Sequence, residues 1–426
     1  MPPCLPRLRQ AASAPTWLKR AYSIVAPAAS ERVAVQAHGN GEISLDIYHP
    51  TAGPPPTHGP STVVLLLPRG PLVNHPESDI ANASYLRSTL PYTVAQINYR
   101  LGRDNPYPTP VHDVLAGYDW AIEHLLPKRS ITRAGRSEHV GRVCVLGELL
   151  GGSLATMLAL TECRKGQPGV VAAAVNSPFV DWIQPEEDID LRAPKSSLAK
   201  HGQAHPGLSI DDFLRARGYY FSKPEAYFDP FASPILFFRS PGAEVPVSTR
   251  SELDELELLS NIEREDFHRQ QQLLSGIGNL SMLQDIASGN SSEEGAEASR
   301  PNPRKASRQF PSKSLNLSLP SLHVSTGNAS PLADQAVELA GAMRKSIARQ
   351  FRATSGRRNG FGQKVLMDHE EEQMDEEQRL ERLAEEAEAN DKVSFGWNEG
   401  LGLWDQSPAG RKGLETATAW VREQLR

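Results

Sequence analysis

The stretch Gly147-Glu148-Leu149-Leu150-Gly151-Gly152 closes an apolar run, "RVCVL", and opens a segment that is apolar nearly all round, "LLGGSLATMLALTEC". A strand that bends through flanking glycines into a helix is a device for presenting a nucleophile. The glycines let backbone approach backbone, and the helix N-terminus offers N–H groups to a developing oxyanion. The chemistry served is acyl transfer, with a serine or its equivalent third in Gly-x-Ser-x-Gly. That third position is Leu149, whose side chain has no lone pair to attack with. Gly147, Gly151 and Gly152 remain as the residues that permit the bend, and the N–H of Leu150 remains as a donor.

Several residues nearby could stand in for the missing nucleophile, acid or base. Ser153 lies one turn into the helix, where a hydroxyl is expected to bond locally. Glu148 precedes the bend, and its side chain is expected to point away from the reacting side, in a structural role. Glu244, in "SPGAEVP", would supply an acid only if "SPILFFRSPG" were the acid-bearing strand. His75 and His112 are near in sequence, but with no nucleophile to activate they are expected at the surface or in the core. Cys4, Cys144 and Cys163 form no C-x-x-C pair, so neither a disulfide scaffold nor a zinc site is indicated. No metal-ligand spacing and no phosphate- or dinucleotide-binding glycine motif occurs; "HGNGE" (38–42) is a hairpin turn. No metal and no cofactor is expected.

The elements that must position this turn follow from periodicity. "ERVAVQAHG" and "EISLDIYHP" (31–50) alternate as an antiparallel hairpin, and the Pro-rich "TAGPPPTHGP" leads into the buried strand "STVVLLLP" (61–68). "YTVAQINYRL" (92–101) is the next strand, and "PVHDVLAGYDWAIEHLL" (110–126) a helix with one apolar stripe. "GVVAAAVNSPFVDW" (169–182) is again a buried strand. Further on, "LPSLHVSTG" (319–327) and "KVSFGW" (392–397) read as strands. "SPLADQAVELAGAMRKSIARQF" (330–351) and "AGRKGLETATAWVREQL" (409–425) read as helices. This alternation predicts an α/β fold, a mainly parallel sheet with helices on both faces and an antiparallel N-terminal hairpin.

With those elements placed, "NYRLGRDNPYPTPVHDVLAGYDW" (98–120) resembles the segment before the nucleophile turn in the hormone-sensitive-lipase and carboxylesterase branch of the α/β-hydrolases. "NSPFVDW", "DPFASP" (229–234) and "LPSLHVSTGNASPLADQ" (319–335) are similar to other segments of that family. The resemblance implies an α/β-hydrolase fold with a cap, and it implies where the catalytic residues belong. The nucleophile position falls on Leu149, the acid position on Ser330, and the histidine position on Leu401 or Gly402 in "NEGLGLWDQ" (398–406). His323 and His369, the histidines beyond position 322, are expected within a strand and an acidic helix. The family's His-Gly-Gly-Gly oxyanion loop corresponds to "PRGP" (68–71), in which Pro71 has no N–H and Gly70 keeps one. Arg100 and Asp113 are expected to form an ion pair that fixes the loop between them.

Composition bounds the remainder. Of 426 residues, 39% are hydrophobic, and the mean hydropathy of -0.43 predicts a buried core with polar segments outside it. A net charge of -6 gives no general affinity for nucleic acid, and no apolar run is long enough to span a bilayer. Residues 1–30 carry Arg7, Arg9, Lys19 and Arg20 and no acid, as in a mitochondrial presequence; the expected location is the matrix, otherwise the cytoplasm.

Four regions are expected. They are the presequence (1–30), a first core part (31–234, with a cap at 185–228), a partly disordered insertion (235–318) holding a charged helix at 251–278, and a second core part (319–426). Within the last, residues 343–391 form a charged block. Seven basic and no acidic residues lie in 343–364, and twelve acidic residues against two arginines in 368–391. The block is expected to be a solvated helix with a basic loop, or a surface for a protein partner. The functional expectation is a catalytically silent binding or scaffold module taking a small apolar ligand. Its alternatives are a carboxylic ester hydrolase with a non-standard nucleophile and an accessory subunit of a mitochondrial assembly.

Overall fold

Strands whose two faces are both apolar have to lie inside a sheet, and half-polar strands at its edges. A computed structural model describes residues 31–37, 41–51, 53, 60–70, 76–126, 140–183, 210–243, 306–355 and 387–426. Among the described residues the eight strands are β1 (Glu31–Gln36), β2 (Glu42–Tyr48), β3 (Thr62–Leu67), β4 (Thr93–Asn98), β5 (Arg142–Glu148), β6 (Gly169–Asn176), β7 (Ser321–Gly327) and β8 (Val393–Asn398). They form one sheet in the order β1-β2-β4-β3-β5-β6-β7-β8. β1–β2 and β2–β4 pair antiparallel and every later pair is parallel. All six residues of β3 are buried, whereas β1 and β8, mostly polar or half-exposed, take the two edges.

Alternation along each strand divides the core into two layers. Val63, Leu65, Val145 and Ala173 face one side; there α2 (Thr109–Leu125), α3 (Leu150–Thr161) and α5 (Ala333–Ser355) pack through Val114, Leu154, Leu158, Leu339 and Met343. Val64, Leu66, Cys144 and Leu146 face the other, under α1 (Pro76–Thr89) and α6 (Pro408–Gln424), which supply Leu86, Leu414, Ala417 and Val421. The remaining helix, α4 (Ile210–Tyr220), brings Phe213 and Tyr220 against Trp182. None of the helices among the described residues is long and apolar enough to cross a membrane.

α1 has no counterpart among the expected elements. Its inward stripe is Ser78, Asn82, Ala83 and Leu86, polar and small at the turns that matter, so apolar periodicity does not mark it. End signals do mark it: Pro76 at its start, Glu77 and Asp79 in the first turn, and Arg87 in the last.

The insertion is also narrower than expected. Ile235, Leu236, Phe238, Phe310 and Leu317 are buried in the core, so both flanks of 235–318 belong to the globular body. The chain leaves and returns through a short neck, where the Ser240 N–H donates to Ala306 O (2.8 Å) and the Arg308 N–H donates to Phe238 O (2.7 Å). Arg239 fixes that neck from inside: its guanidinium lies 2.5 Å from Asp181 Oδ2 and 2.6 Å from Glu338 Oε1. Residues 1–30, part of the 38–42 turn, Pro71, His75, 184–209 of the cap, Glu244, the helix expected at 251–278, His369 and most of the acidic run lie outside the described residues.

The loop between β4 and α2 is fixed as expected. Asp113 is buried, and Arg100 donates to it from its backbone N–H (2.8 Å), Nε (2.9 Å) and Nη2 (2.7 Å). Asp113→Ala leaves three donors without their acceptor and is expected to lower stability by about 3 kcal/mol in urea titration. An unchanged midpoint would refute this role.

Candidate functional site

β5 delivers its last residue, Glu148, to a one-residue bend, and α3 starts at Leu150. Leu149 makes the bend at φ 52°, ψ -117°, a backbone region costing a branched side chain about 1–3 kcal/mol. The fold imposes this conformation. The Leu149 N–H donates to Asn176 O (3.0 Å), and its carbonyl accepts from the N–H of Ser153 (3.0 Å) and of Phe179 (3.4 Å).

Close approach explains the glycines. A Cβ on Gly147 would stand 2.2 Å from Gly151 O, and one on Gly151 would stand 2.3 Å from Pro68 O. Full burial of a leucine contributes about 1.5–3 kcal/mol, so the interior placement of Leu149 offsets the strain without exceeding it by much.

The segment after β3 comes up against the start of α3. Gly70 sits at φ 84°, and a Cβ there would touch the Leu150 side chain at 3.3 Å. Tyr99 Oη donates to Pro68 O (2.5 Å), and burial raises the Tyr99 pKa well above the usual tyrosine value.

Ser330 is buried in the turn after β7. Its N–H donates to Gly327 O (3.1 Å) and its Oγ accepts from the Leu332 N–H (3.3 Å). The loop after β8 packs against the same turn: a Cβ on Gly327 would stand 2.2 Å from the carbonyl carbon of Leu401, and the Ala329 N–H donates to Gly400 O (2.9 Å). Gly402 takes φ 68°. Leu149, Ser330 and the Leu401-Gly402 pair therefore share the carboxyl edge of the parallel strands, where ligands bind in sheets of this kind.

The residues weighed as substitutes point elsewhere. Ser153 is buried, with its Oγ 3.4 Å from Ala232 O, and His112 is exposed on α2. Glu148 faces inward. Its Oε1 accepts from the Trp404 N–H (2.5 Å) and from Asn176 Nδ2 (2.7 Å), and its Oε2 lies 3.0 Å from Arg69 Nη2. Burial raises its pKa against the opposing pull of Arg69. Cys144 and Cys163 are buried; burial raises both thiols, that of Cys163 to about 12, so neither is a ready thiolate. His323 lies in β7 beneath Trp420, with Nδ1 2.7 Å from Ser394 Oγ.

Two features of the site escaped the sequence. Arg69, 1% exposed, is one; its only signal was a charge in a Pro- and Gly-rich loop directly after an all-apolar strand. The other is an aromatic layer beside the bend. Phe179, whose N–H reaches Leu149, stacks on Trp182 (4.8 Å), and Trp182 in turn meets Phe213 (5.1 Å) and Tyr220 (5.5 Å).

Residues 70–248 match the model of a family described as having the alpha/beta hydrolase fold. Esterase LipI of Mycobacterium tuberculosis (strain ATCC 25618 / H37Rv) is 30% identical over 93 residues, 21% of this chain and 26% of that protein; the match spans about a quarter of the relative. Among solved structures, carboxyl esterase 2 from the mycorrhizal fungus Tuber melanosporum aligns at TM-score 0.49 and 12% identity, covering 95% of this chain and 90% of the other. An esterase of Pyrobaculum calidifontis aligns at 0.49 and 15%, covering 93% and 86%. The fold assignment rests on the strand order and the family match.

Two outcomes are expected. Gly151→Ala forces a methyl into two backbone carbonyls and should cost more than about 3 kcal/mol or abolish folding. Gly218→Ala, in α4 with open space around it, should be neutral or stabilising by up to about 1 kcal/mol. Circular dichroism melts of both variants check the contrast. His323 carries the pH prediction: burial lowers its pKa from 6.5 to about 4, so the folded form binds its proton less readily than the unfolded form. Stability is then full above about pH 6.5 and falls by about 3 kcal/mol on acidification to pH 4. His323→Gln should flatten that part of the stability–pH curve.

Proposed function

The chain has the α/β-hydrolase fold, with a family match over residues 70–248, and on that premise we propose that it is a binding module and not an esterase. The observation that carries the reading is Leu149, a hydrocarbon side chain held at φ 52° on the bend where this fold presents its attacking oxygen. The acid position holds Ser330, whose Oγ is engaged by the Leu332 N–H, and the base position holds Leu401 or Gly402. Loss of one member of such a triad costs about four to six orders of magnitude in turnover, so this set offers no route to ester hydrolysis.

The surroundings favour an apolar occupant. Leu149 adjoins the Phe179–Trp182 stack through the Phe179 N–H, and a small hydrophobic molecule seated against that layer would need no hydrolytic group. The charged block at 343–391 would be the partner-facing region, and residues 1–30 the mitochondrial address; both belong to the proposal. A rival reading, a carboxylic ester hydrolase of the carboxylesterase-like branch, draws on the similarity to Esterase LipI.

A fluorophosphonate probe and short-chain p-nitrophenyl esters separate the two. The purified chain is expected to show no covalent labelling and no hydrolysis above buffer. Leu149→Ser alone is expected to stay inactive, because it restores neither acid nor base. Labelling that disappears in Ser153→Ala, together with ester turnover, would replace the proposal with its rival.

A further inference from the structure

Arg69 reaches the loop after β8, the end of β5 and a helix at once. Its Nη2 donates to Trp404 O (2.9 Å) and lies 3.0 Å from Glu148 Oε2, while its Nε faces Asp79 of α1 at 3.3 Å. Trp404 is held on both sides of its backbone: its N–H donates to Glu148, and its carbonyl accepts from Arg69 and from Asn82 Nδ2 (2.9 Å). Asn176 continues the chain of contacts, with Nδ2 donating to Glu148 Oε1 and to Gly402 O (2.7 Å each) and Oδ1 accepting from Ser325 Oγ (2.8 Å). A polar ribbon thus crosses the carboxyl ends of β3, β5, β6 and β7 and grips the loop after β8 at two points.

We propose that the buried Arg69–Glu148 pair is a latch that pins the loop after β8, residues 399–407, onto the inner side of the Leu149 bend, a conformational lock that works without a catalytic histidine. The latch deepens the binding-module reading but does not require it, since the pinned loop would serve an enzyme equally. Two arguments set its direction. A guanidinium that is 1% exposed has to be compensated, and here it is compensated by groups from three different segments, so moving any one of them weakens that compensation. Besides this ribbon, the loop is held by the buried side chains of Leu403 and Trp404 and by the Ala329 N–H bond to Gly400 O (2.9 Å). Its own links are turn bonds, Gly402 N–H to Glu399 O (3.1 Å) and Asp405 N–H to Leu403 O (2.8 Å), and two of its glycines sit at positive φ.

Hydrogen exchange followed by mass spectrometry on the full chain tests this. In Arg69→Met, amides of 399–407 are expected to exchange at least tenfold faster than in the parent, while peptides from β3, β6 and β7 change by less than threefold. In Arg69→Met/Glu148→Gln the orphaned carboxylate is gone and the amide that replaces it can still accept from the Trp404 N–H, so exchange in the loop should return at least halfway toward the parent rate while staying at least twofold above it. That recovery is the signature of a coupled pair. Unchanged loop exchange, uniform acceleration across the sheet, or additive effects in the double variant would each overturn the latch. If Arg69→Met does not fold, the double variant alone decides: a folded protein with a parent-like core and a loop two- to tenfold faster supports the latch, and a loop at parent rate overturns it. Esterase assays play no part in this outcome, so it fails or stands separately from the binding-module reading.

Discussion

Backbone approaches backbone beneath the Leu149 bend, and the remainder of the structure is arranged around that contact. β5 can turn into α3 within one residue only because Gly147 and Gly151 place no side chain between them, and Gly151 in turn lets the end of β3 lie alongside. Once that turn is set, the end of β6 follows through the Leu149–Asn176 hydrogen bond, and Asn176 brings the loop after β8 with it. A bend of this kind is normally understood through the reactive group at its tip. Here that backbone carries a leucine at the tip, and its geometry is set by strand–helix packing.

Buried charge is concentrated at the same edge. Arg69 with Glu148, Arg100 with Asp113, and Arg239 with Asp181 and Glu338 each join segments distant in sequence. Pairs of this sort contribute modestly to net stability, because desolvation consumes much of the attraction, yet they penalise wrong arrangements heavily. At the carboxyl edge these ion pairs join loops that also bury apolar side chains such as Trp182 and Trp404. Glu148 shows the balance: its desolvation outweighs the help of Arg69, Trp404 and Asn176, and the carboxyl pKa is raised in consequence.

Most of the fold was legible in the sequence because its strands are strongly apolar and its helices regularly striped. β3, β5, β6 and β7 could hardly be anything else, and the ends of α6 fell within a residue of expectation. α1 was hidden because its inward residues serve hydrogen bonding as well as packing; Asn82 faces the core to hold Trp404. At the site, the bend and its glycines were legible, since steric necessity leaves few alternatives at Gly147 and Gly151. Arg69 was not, because nothing local announces that a charged side chain will turn inward to meet Glu148, 79 positions further along. The expected span of the insertion failed for a similar reason: Phe238 and Phe310 form one aromatic contact across a long excursion, and neither end alone reveals it.

The neck formed by Phe238–Ser240 and Ala306–Arg308 makes the folded body indifferent to whatever is threaded between them. Its two ends are already joined by backbone bonds and by Arg239, so the entropic cost of closing the excursion grows only logarithmically, by about 0.6 kcal/mol for each doubling of length. Such a junction is a permissive port. Genetic drift can lengthen, shorten or exchange the cargo there while the sheet keeps its registration, and a fluorescent or affinity domain grafted at the same place would inherit that tolerance.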